Sequence, residues 1–258
     1  MDRLSELLGY PPETLALISL CIVMGGIAKG IAGVGLPIVT LSIILTAGLM
    51  EPRDALAALV LPILVTNLWQ AVRAGDLMTP LKRHYPMIIT LLIFLYIGSL
   101  LVARLDTQIL FAVLGACLAA FSAMSLWKPR LEPLKPETER WAGPLAGTIG
   151  GLLGGISTVW GPPMSIYLVM LHLKKDEWVR TVGLIWFSGT IPLTTFYWAN
   201  GVLHPGNIWI TAAACVPVMV GILIGEQVRK FIDEDLFRKI LLIVLFLSGL
   251  NLIRRAIF

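Results

Sequence analysis

Gly25-Gly26-Ile27-Ala28-Lys29-Gly30-Ile31-Ala32-Gly33-Val34-Gly35-Leu36-Pro37 returns 125 residues later as Gly150-Gly151-Leu152-Leu153-Gly154-Gly155-Ile156-Ser157-Thr158-Val159-Trp160-Gly161-Pro162. Identities fall at Gly25/Gly150, Gly26/Gly151, Gly30/Gly155, Ile31/Ile156, Val34/Val159 and Pro37/Pro162. The register persists downstream. Ala74-Gly75-Asp76-Leu77 lies opposite Asn200-Gly201-Val202-Leu203, and Ile97-Gly98 with Leu105-Asp106 lies opposite Ile224-Gly225 with Ile232-Asp233. Glycines recur by chance in apolar helices, but three ordered blocks at offsets between 125 and 127 indicate a duplicated chain. We read residues 1–127 as the first membrane repeat and 141–258 as the second. The charged, Pro-containing stretch 128–140 is the linker between them, expected on the cytoplasmic side.

The solvent in which these repeats fold follows from composition. Apolar residues make up 57% of the chain and charged residues 14%, with a mean hydropathy of +0.85, well outside the range of a soluble domain. The runs 14–32, 87–103, 109–127 and 240–253 approach the ~20 apolar residues that a bilayer crossing needs. The N-terminal stretch from Asp2 to Glu13 is acidic and Pro-bearing, so the first apolar run is expected to stay as a transmembrane element and not to be cleaved as a signal. Twenty basic against 16 acidic side chains give a formal charge of +4. The basic ones sit mostly in loops, which is a topology signal and no nucleic-acid signature.

Two topologies compete, because the segment from Thr14 to Leu49 is too long for one crossing and is interrupted by Gly33 to Pro37. If that segment and its counterpart 141–173 each cross once, Lys and Arg split 10 against 9 between the two sides, with Lys29 inside the membrane. No orientation is then specified. If each turns back as a helical hairpin, one side collects Arg73, Lys82, Arg83, Lys128, Arg130, Lys135, Arg140, Lys174, Lys175, Arg180, Arg229, Lys230, Arg238 and Lys239. The other keeps only Arg3, Arg53, Arg104, Arg254 and Arg255. The second split obeys the positive-inside rule. Each repeat is then a broken-helix hairpin plus three transmembrane helices. An odd number of segments inverts the second repeat, and both termini fall on the non-cytoplasmic side of an inner membrane. The fold class expected is all-α integral membrane, two inverted repeats with interrupted helices at matching places, and a ligand site where the breaks meet near mid-membrane.

Candidate residues follow from that geometry. At a Gly/Pro break the N–H groups of a new helix start are free to meet a ligand, and they suit an anion. In the first break these are Gly33, Val34, Gly35, Leu36 and Pro37; in the second, Ser157, Thr158, Val159, Trp160, Gly161 and Pro162, where two hydroxyls add donors. Gly26xxxGly30 and Gly151xxxGly155 read better as close-packing patches. Lys29 is the one charged side chain well inside an apolar run, where an ammonium costs at least ~2.5 kcal/mol. A bound anion would offset that cost, whereas snorkelling or a backbone carbonyl would satisfy it without a ligand. Its repeat mate is Gly154, so the charge is not needed twice. Asn67, Gln70 and Arg73 recur at helical spacing, and the matching later helix carries Trp186, Ser188, Thr190, Thr194, Thr195, Trp198 and Asn200; of these, Asn67, Gln70, Arg73 and Thr194 are candidates for lining a polar path. Helix–helix hydrogen bonding and an interfacial aromatic belt are the competing explanations.

The absences also discriminate. No Asp or Glu lies deep in an apolar run, whereas a cation carrier or carboxylate proton relay normally needs one. His84, His172 and His204 lie at run ends, and no nucleophile–base or HExxH arrangement exists, so neither an enzyme nor a bound cofactor is expected. Cys21, Cys117 and Cys215 stand singly in apolar runs, which gives no metal spacing and no disulfide framework.

The paired breaks Gly30-Ile-Ala-Gly-Val-Gly-Leu-Pro37 and Gly155-Ile-Ser-Thr-Val-Trp-Gly-Pro-Pro163, with the hairpin ending Ala74-Gly75-Asp76, resemble the TauE/SafE family of sulfite exporters over nearly the whole chain. The resemblance implies a permease for small anions such as sulfite or organosulfur and sulfonate anions. It maps the family's Gly-rich loops onto Gly30, Gly33, Gly35 and Pro37, and onto Gly155, Gly161 and Pro162. Leu36 stands where members often carry a third glycine, and Trp160 is a second departure. The expected partners are a small anionic substrate and the lipid bilayer. A membrane scaffold or accessory subunit without transport activity is the rival class, and nothing in the sequence sets the oligomeric state.

Overall fold

The computed structural model describes residues 8–33, 35–127 and 133–257, so Val34 of the first break and the basic linker residues Lys128 and Arg130 lie outside the described residues. Among the described residues there are ten α-helices and no strand: α1 Pro12–Ala32, α2 Leu36–Thr46, α3 Pro52–Ala74, α4 Met78–Arg104, α5 Thr107–Trp127, α6 Pro136–Ser157, α7 Gly161–Met170, α8 Lys175–Ala199, α9 Ile208–Val228 and α10 Glu234–Ile257. Pro12, Pro52 and Pro136 open helices, where a missing N–H costs nothing. Acidic residues follow in the first turns, at Glu13, Asp54, Glu137 and Glu139, which complements the positive end of the helix dipole. Helix α6 starts at Pro136, within the stretch 128–140.

Among the described residues six helices are long and apolar enough to cross a membrane: α1, α3, α4, α5, α9 and α10. The apolar runs read from the sequence all fall inside them. Helices α2 and α7, of 11 and 10 residues, are too short, since ~20 residues span the hydrocarbon core. Large apolar side chains such as Leu20 on α1, Leu145 on α6 and Leu223 on α9 are more than half exposed. In water such surfaces would drive aggregation; in lipid they are the ordinary contact.

The chain forms two compact units, each assembled from segments distant along the sequence. The first comprises Met1–Pro62, Leu105–Lys128 and Val202–Phe258. In it α2 packs back on α1, so that a Cβ added at Gly25 would meet the carbonyl of Leu36 at 2.9 Å. Helix α1 also crosses α9 at backbone distance: a Cβ at Gly26 would lie 2.6 Å from the Val218 carbonyl, and one at Gly30 would lie 2.5 Å from the Ile222 carbonyl and 2.9 Å from the Gly225 Cα. Small residues spaced by four allow such an approach in lipid, where dispersion and not hydrophobic exclusion holds helices together. Helices α5 and α10 cross in the same manner at Gly115 and Gly249. Arg53 donates to the Leu105 carbonyl and Arg255 to the Leu45 carbonyl, so two guanidiniums bind main-chain carbonyls at helix ends.

The second unit comprises Ile63–Arg104 and Pro129–Gly201. Here α6 lies against α4, with a Cβ at Gly98 placed 2.5 Å from the Leu152 carbonyl and 2.8 Å from the Gly155 Cα. The Thr90 hydroxyl donates across this contact to the Pro144 carbonyl at 3.0 Å. Helix α8 closes the unit: the buried Tyr197 hydroxyl donates to the Gly155 carbonyl at 2.9 Å, and the Asn200 amide donates to Ser99 Oγ at 2.9 Å. In both units the glycine pairs act as packing surfaces, as the spacing predicts.

Candidate functional site

Helix α1 ends because Gly33 takes a left-handed conformation at φ 74°, its N–H donating to the Lys29 carbonyl at 2.7 Å. A Cβ at Gly33 would meet nothing within 4 Å, so the demand for glycine there is conformational and not spatial. Gly35, at φ 108°, caps the start of α2, and Pro37 occupies its first turn. Of the four N–H groups that a helix start leaves over, proline removes one, so those of Gly35, Leu36 and Ile38 have no intrahelical partner. The Leu36 side chain is fully buried. Lys29 is buried in the last turn of α1, where its charge meets the negative end of the helix.

The second break repeats this backbone with different side chains. Thr158 takes the place of Gly33 at φ 61°, its N–H donating to the Gly154 carbonyl at 2.8 Å. A β-branched residue in this region is an outlier, and strain of that kind persists only where surrounding structure holds it. The Thr158 hydroxyl donates to the Ser157 carbonyl at 2.6 Å, and the Ser157 hydroxyl donates to the Leu153 carbonyl at 2.7 Å while accepting the Val159 N–H at 3.3 Å. Both hydroxyl protons are thus spent on the main chain, so neither is a ready donor as the sequence suggests. Pro162 and Pro163 remove two of the four N–H groups at the start of α7, leaving those of Trp160 and Gly161.

The two breaks also trade bulk. A Cβ at Gly154 would meet Trp160 Cβ at 3.0 Å and Cε3 at 2.9 Å, so the indole occupies the space that glycine opens on α6. At the matching positions of the first repeat the pair is Lys29 and Gly35. The large residue stands on one arm of the break in one repeat and on the other arm in the next. Trp160 is 3% exposed and packs against Gly189 on α8, and its Nε1–H has no hydrogen-bond partner. A buried unpaired donor costs about 1–3 kcal/mol, which calls for a ligand or water to meet it. Sequence reading placed Trp160 in the break but missed Gly154 and Gly189 as its walls, because no spacing rule links them.

The path candidates take structural positions. Asn67 is 2% exposed and donates through Nδ2 to the Trp186 carbonyl at 3.2 Å and to Thr190 Oγ1 at 3.1 Å, tying α3 to α8. Gln70 is half-buried and Arg73 exposed, with its guanidinium 4.9 Å from the Trp69 ring centre. The Thr194 hydroxyl donates to the Thr190 carbonyl at 2.9 Å. At the turn before α4, Asp76 accepts from the Thr79 hydroxyl at 2.6 Å and the Met78 N–H at 2.9 Å. Those bonds, the Thr79 hydroxyl first, hold its carboxyl below the usual range. Gly75 and Gly201 both take positive φ, at 82° and 73°, at matching places of the repeat.

Among the described residues no group of three or more His, Cys, Asp or Glu is placed to hold a metal ion. No curated protein and no solved structure matches the chain. A family model described as Sulfite exporter TauE/SafE matches residues 18–252.

Proposed function

Because the chain belongs to the sulfite exporter TauE/SafE family, a family of multi-pass membrane transporters, we propose that it moves a small oxyanion, sulfite or a sulfonate, by alternating access, with the second helix break as an anion-binding element. The observation that carries this reading is the second break: a strained Thr158, a helix start with two N–H groups left over, and a buried indole N–H without a partner stand within three residues of one another. Donors held in place before the ligand arrives suit an anion. Lys29, buried beside the first break, places a cation at that break, where an anion would offset the cost of its burial. The duplicated sequence supports inverted repeats, each with a hairpin, and the positive-inside count supports termini on the non-cytoplasmic side of an inner membrane.

The test is sulfite and sulfonate flux into proteoliposomes holding the pure protein, with chloride and sodium-gradient controls. Saturable flux is expected, and Lys29→Ala lowers it. Trp160→Phe keeps the ring contact and removes the N–H, so the half-saturating anion concentration rises by about tenfold, the value of one hydrogen bond to a charged group. No flux of any anion through demonstrably folded protein would overturn the proposal and leave a scaffold or accessory subunit.

A further inference from the structure

A second polar feature of the second unit stands apart from the break. At the ends of α4, α6 and α7 lies a cavity of about 240 Å³. We propose that it binds a small organic monoanion, a carboxylate or sulfonate carried on a short apolar stem, at a site distinct from the helix breaks. Tyr167 lies seven residues beyond Trp160 on α7, roughly 10 Å along the axis at ~1.5 Å per residue, so an ion in the cavity is not the ion at the break.

The donors are specific. His84 is 1% exposed, with Nδ1 3.3 Å from the Tyr167 hydroxyl and the two rings edge to face at 5.8 Å. When that hydroxyl donates to Nδ1, the neutral ring carries its hydrogen on Nε2. Nε2 is buried and has no partner. An N–H in this state needs an acceptor, and a cavity of this size admits one. The charge comes from the rim. Arg83 is held by Glu139 through Nε and Nη2 at 3.1 and 3.0 Å and by Glu177 through Nη1 at 2.7 Å, so it orders the rim instead of facing a ligand. Arg140 also lines the cavity and, among the described residues, forms no ion pair. Its guanidinium presents a planar fork that suits a carboxylate or sulfonate. Pro86, Met87 and Pro144 supply an apolar wall. Water would satisfy His84 but would leave the guanidinium and the apolar wall unused, whereas an anion with a short stem meets all three.

The experiment titrates the full chain in detergent with 1-butanesulfonate, butanoate and, as the uncharged control, 1-butanol, followed by calorimetry. Both anions are expected to bind saturably and the alcohol not at all. Arg140→Gln, at an exposed position, weakens binding by about tenfold or more, while Lys82→Gln, a neighbouring cation outside the cavity, leaves it unchanged. His84→Gln retains an N–H donor and binds better than His84→Leu. Absence of saturable binding to folded protein, or equal binding by wild type and Arg140→Gln, overturns the proposal. A proteoliposome arm identifies the source: butanesulfonate that is itself carried is cargo at an entry subsite, whereas butanesulfonate that binds, is not carried and alters sulfite flux is a regulator. Calorimetry needs no transport, so failure of the flux reading leaves this one testable.

Discussion

Arg83 Nη1 donates to the Glu177 carboxylate at 2.7 Å, joining the start of α4 to the start of α8. The chain between them runs through α4, α5, α6 and α7. Had α6 and α7 formed one crossing, these two residues would stand on opposite faces of a hydrocarbon layer ~30 Å thick. Their contact requires α7 to return toward the side from which α6 set out. The pair itself is exposed and adds little energy, ~0.2–1 kcal/mol for such a pair; its value is as a marker of topology.

Cross-linking tests that return. In a chain with Cys21, Cys117 and Cys215 replaced by serine or alanine, Arg83→Cys with Glu177→Cys is expected to link through a short bifunctional thiol reagent in intact membranes. Both single variants should react with an impermeant maleimide from the same side. Reaction from opposite sides would refute the return.

Thr158 and Gly33 share a left-handed backbone but differ in cost. Relieving the strain, Thr158→Gly is expected to stabilise the protein by about 1 kcal/mol, the penalty of that conformation for an L-residue. Gly33→Ala should destabilise it by a similar amount although the site is open, because only the backbone objects. Thermal unfolding in detergent reads both; a Thr158→Gly variant less stable than wild type contradicts the strain assignment.

The crossings at Gly30 and Gly98 meet backbone atoms, which cannot turn aside as a side chain can. Gly30→Ala and Gly98→Ala are each expected to cost about 1–3 kcal/mol as overpacked contacts. Gly9→Ala, with nothing within 4 Å of the added Cβ, separates crowding from a general intolerance of substitution: it carries only the backbone penalty of its positive φ. Equal losses at all three positions would refute the packing account.

Asp76 links pH to the start of α4. Its carboxyl sits below the usual range in the folded chain because the Thr79 hydroxyl and the Met78 N–H bind the charged form. A carboxyl depressed on folding stabilises the fold above its unfolded value of ~3.9 and loses that contribution as pH falls through the folded value. Thr79→Val should therefore reduce the difference in melting temperature between pH 7 and pH 3, and Asp76→Asn should remove the part that this carboxyl contributes. An unchanged pH difference in both variants would sink the linkage.

Much of this protein was legible before any coordinates. The helical class and the two interruptions come from local rules: apolar runs of bilayer length, glycines able to turn left-handed, and prolines that deny an N–H. Gly33, Gly35 and Pro37 announce their break in any context, and Lys29 is conspicuous because no apolar run tolerates a charge without cause. By contrast, nothing local says that α1 packs on α9 and α6 on α4, that the space left by Gly154 is taken by the Trp160 indole, or that the protons of Ser157 and Thr158 are spent on main-chain carbonyls. Neither did any spacing bring His84, Arg140 and Tyr167 to one cavity. Backbone conformation is set by each residue and its neighbours, so sequence determined where the helices start and stop. Which glycine faces which carbonyl, and which donor is left without an acceptor, depends on close contacts between segments distant along the chain, and those only the tertiary structure decided.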